Sequence, residues 1–341
     1  MTLQEIARLA NVSVATVSRT INRVSTVNPV LARRVRRVIE KRGYYPNTHA
    51  RALVSGRSRI FGLMVSEITN PYFPEVVQTF TKLGVQHNYE VLLSFLCQDS
   101  RQLETAARQM IERRVEGVAI LTFGGEEALI DIFRGRNVPV FIIDADSPGR
   151  LLRTVRIDYR HGIRQAVQHL AALGHVRVAF ICGPTCLKTA AMRKDAFQEC
   201  MQEIGLAVSP EMLVEGDHTM EAGMEAISAL ISLEKRPTAV VCSNDLTAIG
   251  VMRKAFDRSV NIPRDLSIVG FDDIRFAQFM TPPLTTVQMS QVGIATLAFR
   301  ALLDSVEPAS NENALESDVI ETNLVLRCST SLARERGPLA R

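Results

Sequence analysis

The sequence predicts an α/β chain with a small all-α head, followed by a larger body of two lobes built on parallel sheets. Three observations predict it. The first 59 residues hold twelve Lys and Arg against only Glu5 and Glu40, a net of +10, whereas the remaining 28 basic and 34 acidic residues net −6. Residues 2–22 carry two short helical patterns around a tight turn. From Ile60 onward, short apolar runs alternate with amphipathic stretches, as strands covered by helices on both faces require. A chain of 341 residues exceeds the usual single-domain size, so at least two folding units are expected.

The head is read element by element. Thr2-Leu3-Gln4-Glu5 is a capping box, in which the Thr2 hydroxyl accepts from the amide three residues on and Glu5 reaches back. Ile6, Leu9 and Ala10 supply the inner face of this first helix. Asn11-Val12-Ser13 turns the chain, and Ser13 caps a second helix through Val14, Val17 and Ile21, completing a helix-turn-helix pattern. A third helix opens at Asn28-Pro29, with Asn28 as cap and Pro29 in first position. Its apolar residues Leu31, Val35, Val38 and Ile39 share one face, Arg33, Arg34, Arg36 and Arg37 crowd the others, and Gly43 stops it. Tyr44-Tyr45-Pro46 breaks the chain, residues 47–54 suit one or two helical turns too short to persist alone, and Ser55-Gly56-Arg57-Ser58 reads as a linker. The division that follows is a head over 1–46, a hinge and linker over 47–59, and a body over 60–341.

In the body the apolar runs are Ile60–Val65, Val91–Phe95, Gly117–Leu121, Val138–Ile143, Val176–Ile181, Met212–Val214, Thr238–Cys242, Leu266–Phe271 and Leu284–Val287. The arrangement repeats after about residue 160, where Tyr159–Leu173 makes a helix. Two similar lobes are expected, the first over about 60–158 plus 290–326 and the second over about 159–287. A ligand cleft then lies between them, beyond the carboxyl ends of the strands.

Composition excludes several classes of function. With 46% hydrophobic and 22% charged residues, no bilayer-length apolar run and no leader pattern after Met1, the chain is expected to be soluble and cytoplasmic, with no membrane partner. The six cysteines (Cys97, Cys182, Cys186, Cys200, Cys242 and Cys328) form no CxxC pair and have no histidines at metal spacing, so buried reduced thiols are expected rather than a disulfide framework or a zinc site. Only Cys182 and Cys186 are close in sequence. The six histidines are scattered, and most read as surface or capping residues. No Walker loop, GxGxxG, GxSxG or HExxH occurs, and the adjacent carboxylates Asp272 and Asp273 leave a strand end in different directions. No catalytic residue, metal or cofactor is expected, and the chain is not read as an enzyme. A strongly basic head on a mildly acidic body is instead the footprint of a nucleic-acid binder whose second part does something else.

The stretch TLQEIARLANVSVATVSRTIN (residues 2–22) closely resembles the headpiece of the LacI/GalR family of transcription regulators. So do Tyr45-Pro46-Asn47 with Ala50-Arg51-Ala52-Leu53, the run Ile60–Val65, Asn70-Pro71-Tyr72-Phe73, Leu173-Gly174-His175, Ser243-Asn244-Asp245, Val269-Gly270-Phe271-Asp272-Asp273 and Pro283-Leu284-Thr285-Thr286. These marks run through nearly the whole chain in the family's order. The resemblance implies a headpiece, a hinge helix and a two-lobed body like that of periplasmic sugar-binding proteins. It further implies assembly as a homodimer on palindromic operator DNA and a small-molecule effector.

On this resemblance Val14 and Ala15 stand at base-reading positions of the recognition helix. Arg19 is the side chain able to grip guanine bidentately, and Val14 and Ala15 offer apolar contact such as to a thymine methyl. Ser13, Thr16, Ser18 and Asn22 suit the phosphate backbone. In the hinge, Ala50 and Leu53 are DNA contacts, with Leu53 the wedge that enters the minor groove at the operator centre; the alternative for Leu53 is packing against the body.

The family's cleft is lined at strand ends, where this sequence offers Tyr72, Phe73, Asp144, Thr189, Arg193, His218, Asn244 and Asp272. Carboxylates, an Arg fork and an amide beside aromatic rings suit the hydroxyls and apolar faces of a carbohydrate. Leu187 stands where purine-responsive relatives carry a guanine-reading Arg, which argues against a purine effector. His218 stands where an aromatic stacker is frequent, and Met289 where sugar-binding relatives often have Gln. Without leucine heptads after Leu326, no C-terminal coiled-coil tetramer is expected.

Overall fold

Each helix of the head starts on the cap that its sequence encodes. The computed structural model describes residues 2–21, 24, 26–44, 57–95, 100–122, 127–145, 151–307 and 319–334, and the chain divides into two compact units, Met1–Ser58 and Arg59–Arg341. At α1 (Leu3–Ala10), Thr2 Oγ1 accepts from the Glu5 amide at 3.3 Å while Glu5 Oε2 accepts from the Thr2 amide at 2.8 Å. At α2 (Val14–Ile21), Ser13 Oγ accepts from the Thr16 amide at 3.1 Å. At α3 (Pro29–Arg42), Asn28 Oδ1 accepts from the Val30 amide at 2.8 Å, and Gly43 closes the helix at φ +60°, a conformation that glycine adopts without penalty. The three helices close on Ile6, Ala7, Ala10, Val17 and Val35, flanked by Val12, Ile21, Val38 and Ile39. A core of this size leaves little stability in reserve, so caps worth about 1 kcal/mol each are a material share of it.

The body carries two six-stranded sheets. The first contains β1 (Ile60–Val65), β2 (Glu90–Phe95), β3 (Gly117–Leu121), β4 (Val140–Ile143), β5 (Leu152–Asp158) and β11 (Val319–Glu321), all parallel in the order β11-β5-β4-β3-β1-β2. The second contains β6 (Val178–Ile181), β7 (Leu213–Val214), β8 (Ala239–Cys242), β9 (Ser267–Asp272), β10 (Thr285–Gln288) and β12 (Asn323–Val325), in the order β12-β10-β9-β8-β6-β7. Among the described strands, only β12 runs antiparallel to its neighbour. The central strands β3, β8 and β9 are buried at every residue, which is why they read as unbroken apolar runs.

Helices cover both faces of these sheets. α4 (Tyr72–Gln86), α5 (Ser100–Glu112), α6 (Glu127–Arg134) and α11 (Gln291–Val306) belong to the first lobe, where α4 and α11 pack side by side. α7 (Tyr159–Ala172), α8 (Lys188–Glu203), α9 (Met220–Ile231) and α10 (Asp245–Asp257) belong to the second. The chain crosses between lobes three times, at 158–159, 288–291 and Thr322. Two crossings are tied together, since Thr322 Oγ1 donates to Asp158 O at 2.7 Å and accepts from the Gly162 amide at 3.0 Å.

The structure corrects three expectations. The first lobe does not reach residue 326, because Asn323–Val325 pairs with Thr286–Gln288 in the second sheet. Cys182, Cys200 and Cys242 are buried as expected, but Cys186 and Cys328 are exposed, both outside helices and strands. His175 is buried rather than a surface residue, its ring bridging Thr238 Oγ1 at 2.9 Å and Ser331 O at 3.0 Å. Asn22, Ala50, Leu53 and Cys97, and most of the expected hinge, lie outside the described residues.

Candidate functional site

In the head, the exposed residues of α2 and α3 are largely polar and basic. Val17 and Thr20 turn α2 inward, which leaves Ser13, Val14, Ala15 and Arg19 exposed and Thr16 and Ser18 half-buried on its other side. Val14 is 42% exposed, so it is not a core residue. The short polar groups are pre-ordered: Ser13 Oγ lies 2.9 Å from Thr16 Oγ1, and Thr20 Oγ1 donates to Thr16 O at 2.8 Å. Arg33, Arg34, Arg36 and Arg37 are all exposed on α3. A helix that exposes small side chains and one Arg, beside a cationic helix, suits a groove lined by phosphates.

In the body, strand ends bring the predicted polar residues together around Arg193. This guanidinium, on the second turn of α8, is only 2% exposed. Its NH1 donates to Ser243 O at 2.6 Å, its Cζ lies 4.1 Å from the Phe271 ring centroid and 5.2 Å from that of Tyr159, and Asp272 Oδ1 sits 3.7 Å from NH1. Asp272 Oδ1 has no hydrogen-bond donor among the described residues. Burial pushes the Asp272 carboxyl up to about 7 against the opposing pull of Arg193. A buried carboxylate lacking a donor is an incomplete polar site, and a ligand hydroxyl would complete it.

The other walls are equally specific. Asp144, in the left-handed region at φ +54° just past β4, accepts from the Ile157 amide and the Tyr159 hydroxyl, both at 2.9 Å. Burial raises its carboxyl despite those donors. Lys188 Nζ donates to Asp144 O at 3.5 Å, linking the second lobe to the first. His218 accepts or donates at Nε2 with Ser243 Oγ at 2.9 Å, and a Cβ at Gly183 would collide with its imidazole. Burial, and then the charge of Arg193, lower His218 to about 3, so its ring is neutral at physiological pH.

Asn244, predicted as a ligand-reading amide, is 2% exposed and already employed. Its Nδ2 donates to His218 O at 3.0 Å and its Oδ1 accepts from the Thr247 amide at 2.9 Å, capping α10. Tyr72 and Phe73 are buried edge-to-face in the core, with ring centroids 5.6 Å apart. The Tyr72 hydroxyl group still feels the cleft, since burial and then the Asp272 carboxylate raise its pKa. Thr189 is buried on the first turn of α8.

Sequence reasoning missed Tyr159, Ser243 and Lys188. Tyr159 follows β5, whose sequence LRTVRID alternates charged with apolar residues and so does not stand out as an apolar run. Ser243 was visible only as part of a motif, and its backbone carbonyl, which no side-chain pattern encodes, is what holds Arg193.

Comparison with known proteins places this geometry. Residues 2–47 match the bacterial regulatory proteins of the lacI family, and residues 167–330 match the periplasmic binding protein-like domain. The HTH-type transcriptional repressor CytR of Escherichia coli (strain K12) is 31% identical over 332 residues, 96% of each chain. Catabolite control protein A of Priestia megaterium is 30% identical over 322 residues, 94% of this chain and 96% of that one. Among solved structures, a lac repressor dimer bound to operator and the anti-inducer ONPF superposes with a TM-score of 0.85 at 24% identity, covering 97% of this chain and 99% of that one. The complex of the transcriptional regulator CelR with cellobiose superposes at 0.72 and 26% identity, covering 96% and 99%.

Proposed function

This chain belongs to the lacI family of bacterial regulatory proteins and is a DNA-binding transcription regulator rather than an enzyme, and on that premise we propose that it is a repressor that binds a palindromic operator as a homodimer and responds to a small carbohydrate held between the body lobes. The observation that carries the ligand class is the Arg193–Asp272 pair, a buried fork and carboxylate 3.7 Å apart with an acceptor oxygen still lacking a donor. Neighbouring vicinal hydroxyls satisfy both partners, donating to Asp272 and accepting from Arg193. The relative CelR is held with cellobiose. On the DNA side, Arg19 reads guanine, Val14 and Ala15 make apolar base contacts, and Ser13, Thr16, Ser18 and Asn22 hold phosphates. Ala50 and Leu53 contact the operator centre, with Leu53 as the wedge.

The test begins with selection of the operator from random-sequence DNA by the full chain, followed by a screen of sugars, nucleosides and purines for release of that operator. A sugar that releases the operator from wild type should fail with Arg193→Ala, because losing a charge-assisted hydrogen bond in a closed cleft costs about 1.5–3 kcal/mol, or about ten- to a hundredfold in affinity. Operator affinity without ligand should survive in that variant. Release by a purine alone would overturn the carbohydrate assignment and leave the regulator reading intact.

A further inference from the structure

The second carboxylate of the Asp272-Asp273 pair has no part in the cleft as described so far. It lines an open cavity of about 950 Å³ together with Gln288 and Arg327 of the second lobe, Gln291 at the start of α11, and Glu75 and Gln78 of α4. Both residues of the turn are left-handed, Asp272 at φ +115° and Asp273 at φ +55°. For residues with a Cβ such conformations cost free energy, and they persist only where the surroundings over-determine them.

The surroundings here do so from several directions. Arg327 NH2 donates to Asp273 Oδ1 at 2.6 Å while its NH1 donates to Leu284 O at 2.8 Å, so one guanidinium clamps the turn to the start of β10. Gln288 Nε2 donates to Asp273 Oδ2 at 2.8 Å, and Gln291 Nε2 donates to Asp272 O at 3.0 Å. Beneath the turn, the fully buried Asp245 accepts from the Ile274 amide at 2.8 Å and from Thr286 Oγ1 at 2.6 Å, in space left by Gly270, where a Cβ would collide with the carboxylate. Gln288 and Gln291 flank the second crossing between lobes, and Arg327 follows the third.

Building on the cleft reading above, we infer that Asp273 and Arg327 are positioning residues: their ion pair locks the left-handed turn that aims the Asp272 carboxylate at Arg193. Asp272 and Asp273 therefore divide the work, one addressing the ligand and the other tying the ligand-facing turn to the strands that join the lobes. Asp273 and Arg327 are 12% and 18% exposed, buried enough for the pair to hold its geometry and not be dissolved by solvent.

The experiment reads Asp272 itself and needs no effector. The full chain is labelled with [4-13C]aspartate, the Asp272 carboxyl resonance is identified by its absence in Asp272→Asn, and its titration is followed by NMR. Two charge-conserving variants are compared with wild type, Arg327→Lys, which cannot fork between Asp273 and Leu284, and Asp273→Glu, which lengthens the arm. Charge being unchanged, a shift reports position. Once the turn relaxes, Asp272 loses both its burial, which raises its midpoint, and its alignment with Arg193, which lowers it, so the midpoint should move by about one unit or more in each variant, downward where the larger burial effect dominates, a tenfold change in proton affinity. Midpoints within about a few tenths of a unit of wild type, in folded protein by circular dichroism, overturn the inference. Should Arg327→Lys fail to fold, Asp273→Glu carries the test alone. Because no ligand enters, the inference can fail while a sugar still releases the operator, and can hold while none does.

Discussion

Asp272→Asn should stabilise the protein and silence its ligand response in the same substitution. Asn is nearly isosteric and is among the side chains that best tolerate positive φ, so the turn at φ +115° is retained. The Asp272 carboxyl titrates near 7 in the folded chain because of burial, against an ordinary carboxylate value near 4 when unfolded. Since the folded value is raised, the folded state binds the extra proton between those limits, and this group's contribution to stability is complete below about pH 4 and lost as pH rises to about 7. A shift of about three units sets a ceiling of about 4 kcal/mol on the gain from removing the charge, and the buried Arg193 left without its carboxylate partner brings the expected gain down to about 2 kcal/mol. Thermal unfolding of wild type and variant at pH 4.5, 6, 7 and 8.5 is the assay. The melting temperatures should nearly coincide at the lowest pH, diverge through the middle of the range and hold a constant separation of about 5–10 °C at the top. Operator release by any ligand that acts on wild type should be lost. If the variant gains nothing at pH 8.5, or gains equally at every pH, Asp272 is not a destabilising carboxylate kept for binding, and the cleft assignment fails with it.

Other expectations follow for the head and the hinge. Arg19→Ala should relax discrimination at one symmetric guanine position per half-site by about 1–3 kcal/mol, read from affinities across a library of operator variants. Unchanged preference at every position would remove Arg19 from base reading. Affinity for operator should fall steeply with salt, as the +10 charge of residues 1–59 requires, and deletion of residues 1–58 should abolish DNA binding while leaving a body that still melts cooperatively. Leu53→Ala should reduce operator bending and sensitivity to the central base step while half-site preference is kept. A bend equal to wild type by gel mobility would make residues 47–54 a tether only.

The parts of this molecule that were readable in its sequence share one property, which is that their information is local. Caps at Thr2, Ser13 and Asn28 are decided within three residues, and buried parallel strands such as Gly117–Leu121 announce themselves as apolar runs. β5, inside its sheet and seven residues long, was not legible because Arg153, Arg156 and Asp158 interrupt its apolar residues, and β11 and β12 because they are three-residue edge strands that pair through backbone groups carrying no side-chain signature. The site follows the same rule. The family resemblance pointed to Asp144 and Asp272 at strand ends and to Arg193 on a helix, yet the contacts that set their properties come from the Ser243 carbonyl, the Ile157 amide and a tyrosine from an unrecognised strand end.

The same distinction explains why a run of two acidic residues conceals two unlike jobs. In sequence, Asp272 and Asp273 are equivalent carboxylates, and a strand-like alternation gives only that they point apart. Their divergence is fixed by partners distant in the chain, Arg193 for one and Arg327 with Gln288 for the other. Asp273 is half of an ion pair with donors on both oxygens, whereas Asp272 Oδ1 has a cation nearby and no donor among the described residues. A fold that only needed the turn would have every reason to satisfy both residues or to place glycine there. An under-satisfied, buried carboxylate at positive φ therefore stands next to one whose two oxygens both have donors, close to where the chain crosses between the lobes. On the function proposed above, a donor supplied there by a ligand would act on the turn that the crossing strands hold, and ligand occupancy and lobe geometry would then share one element.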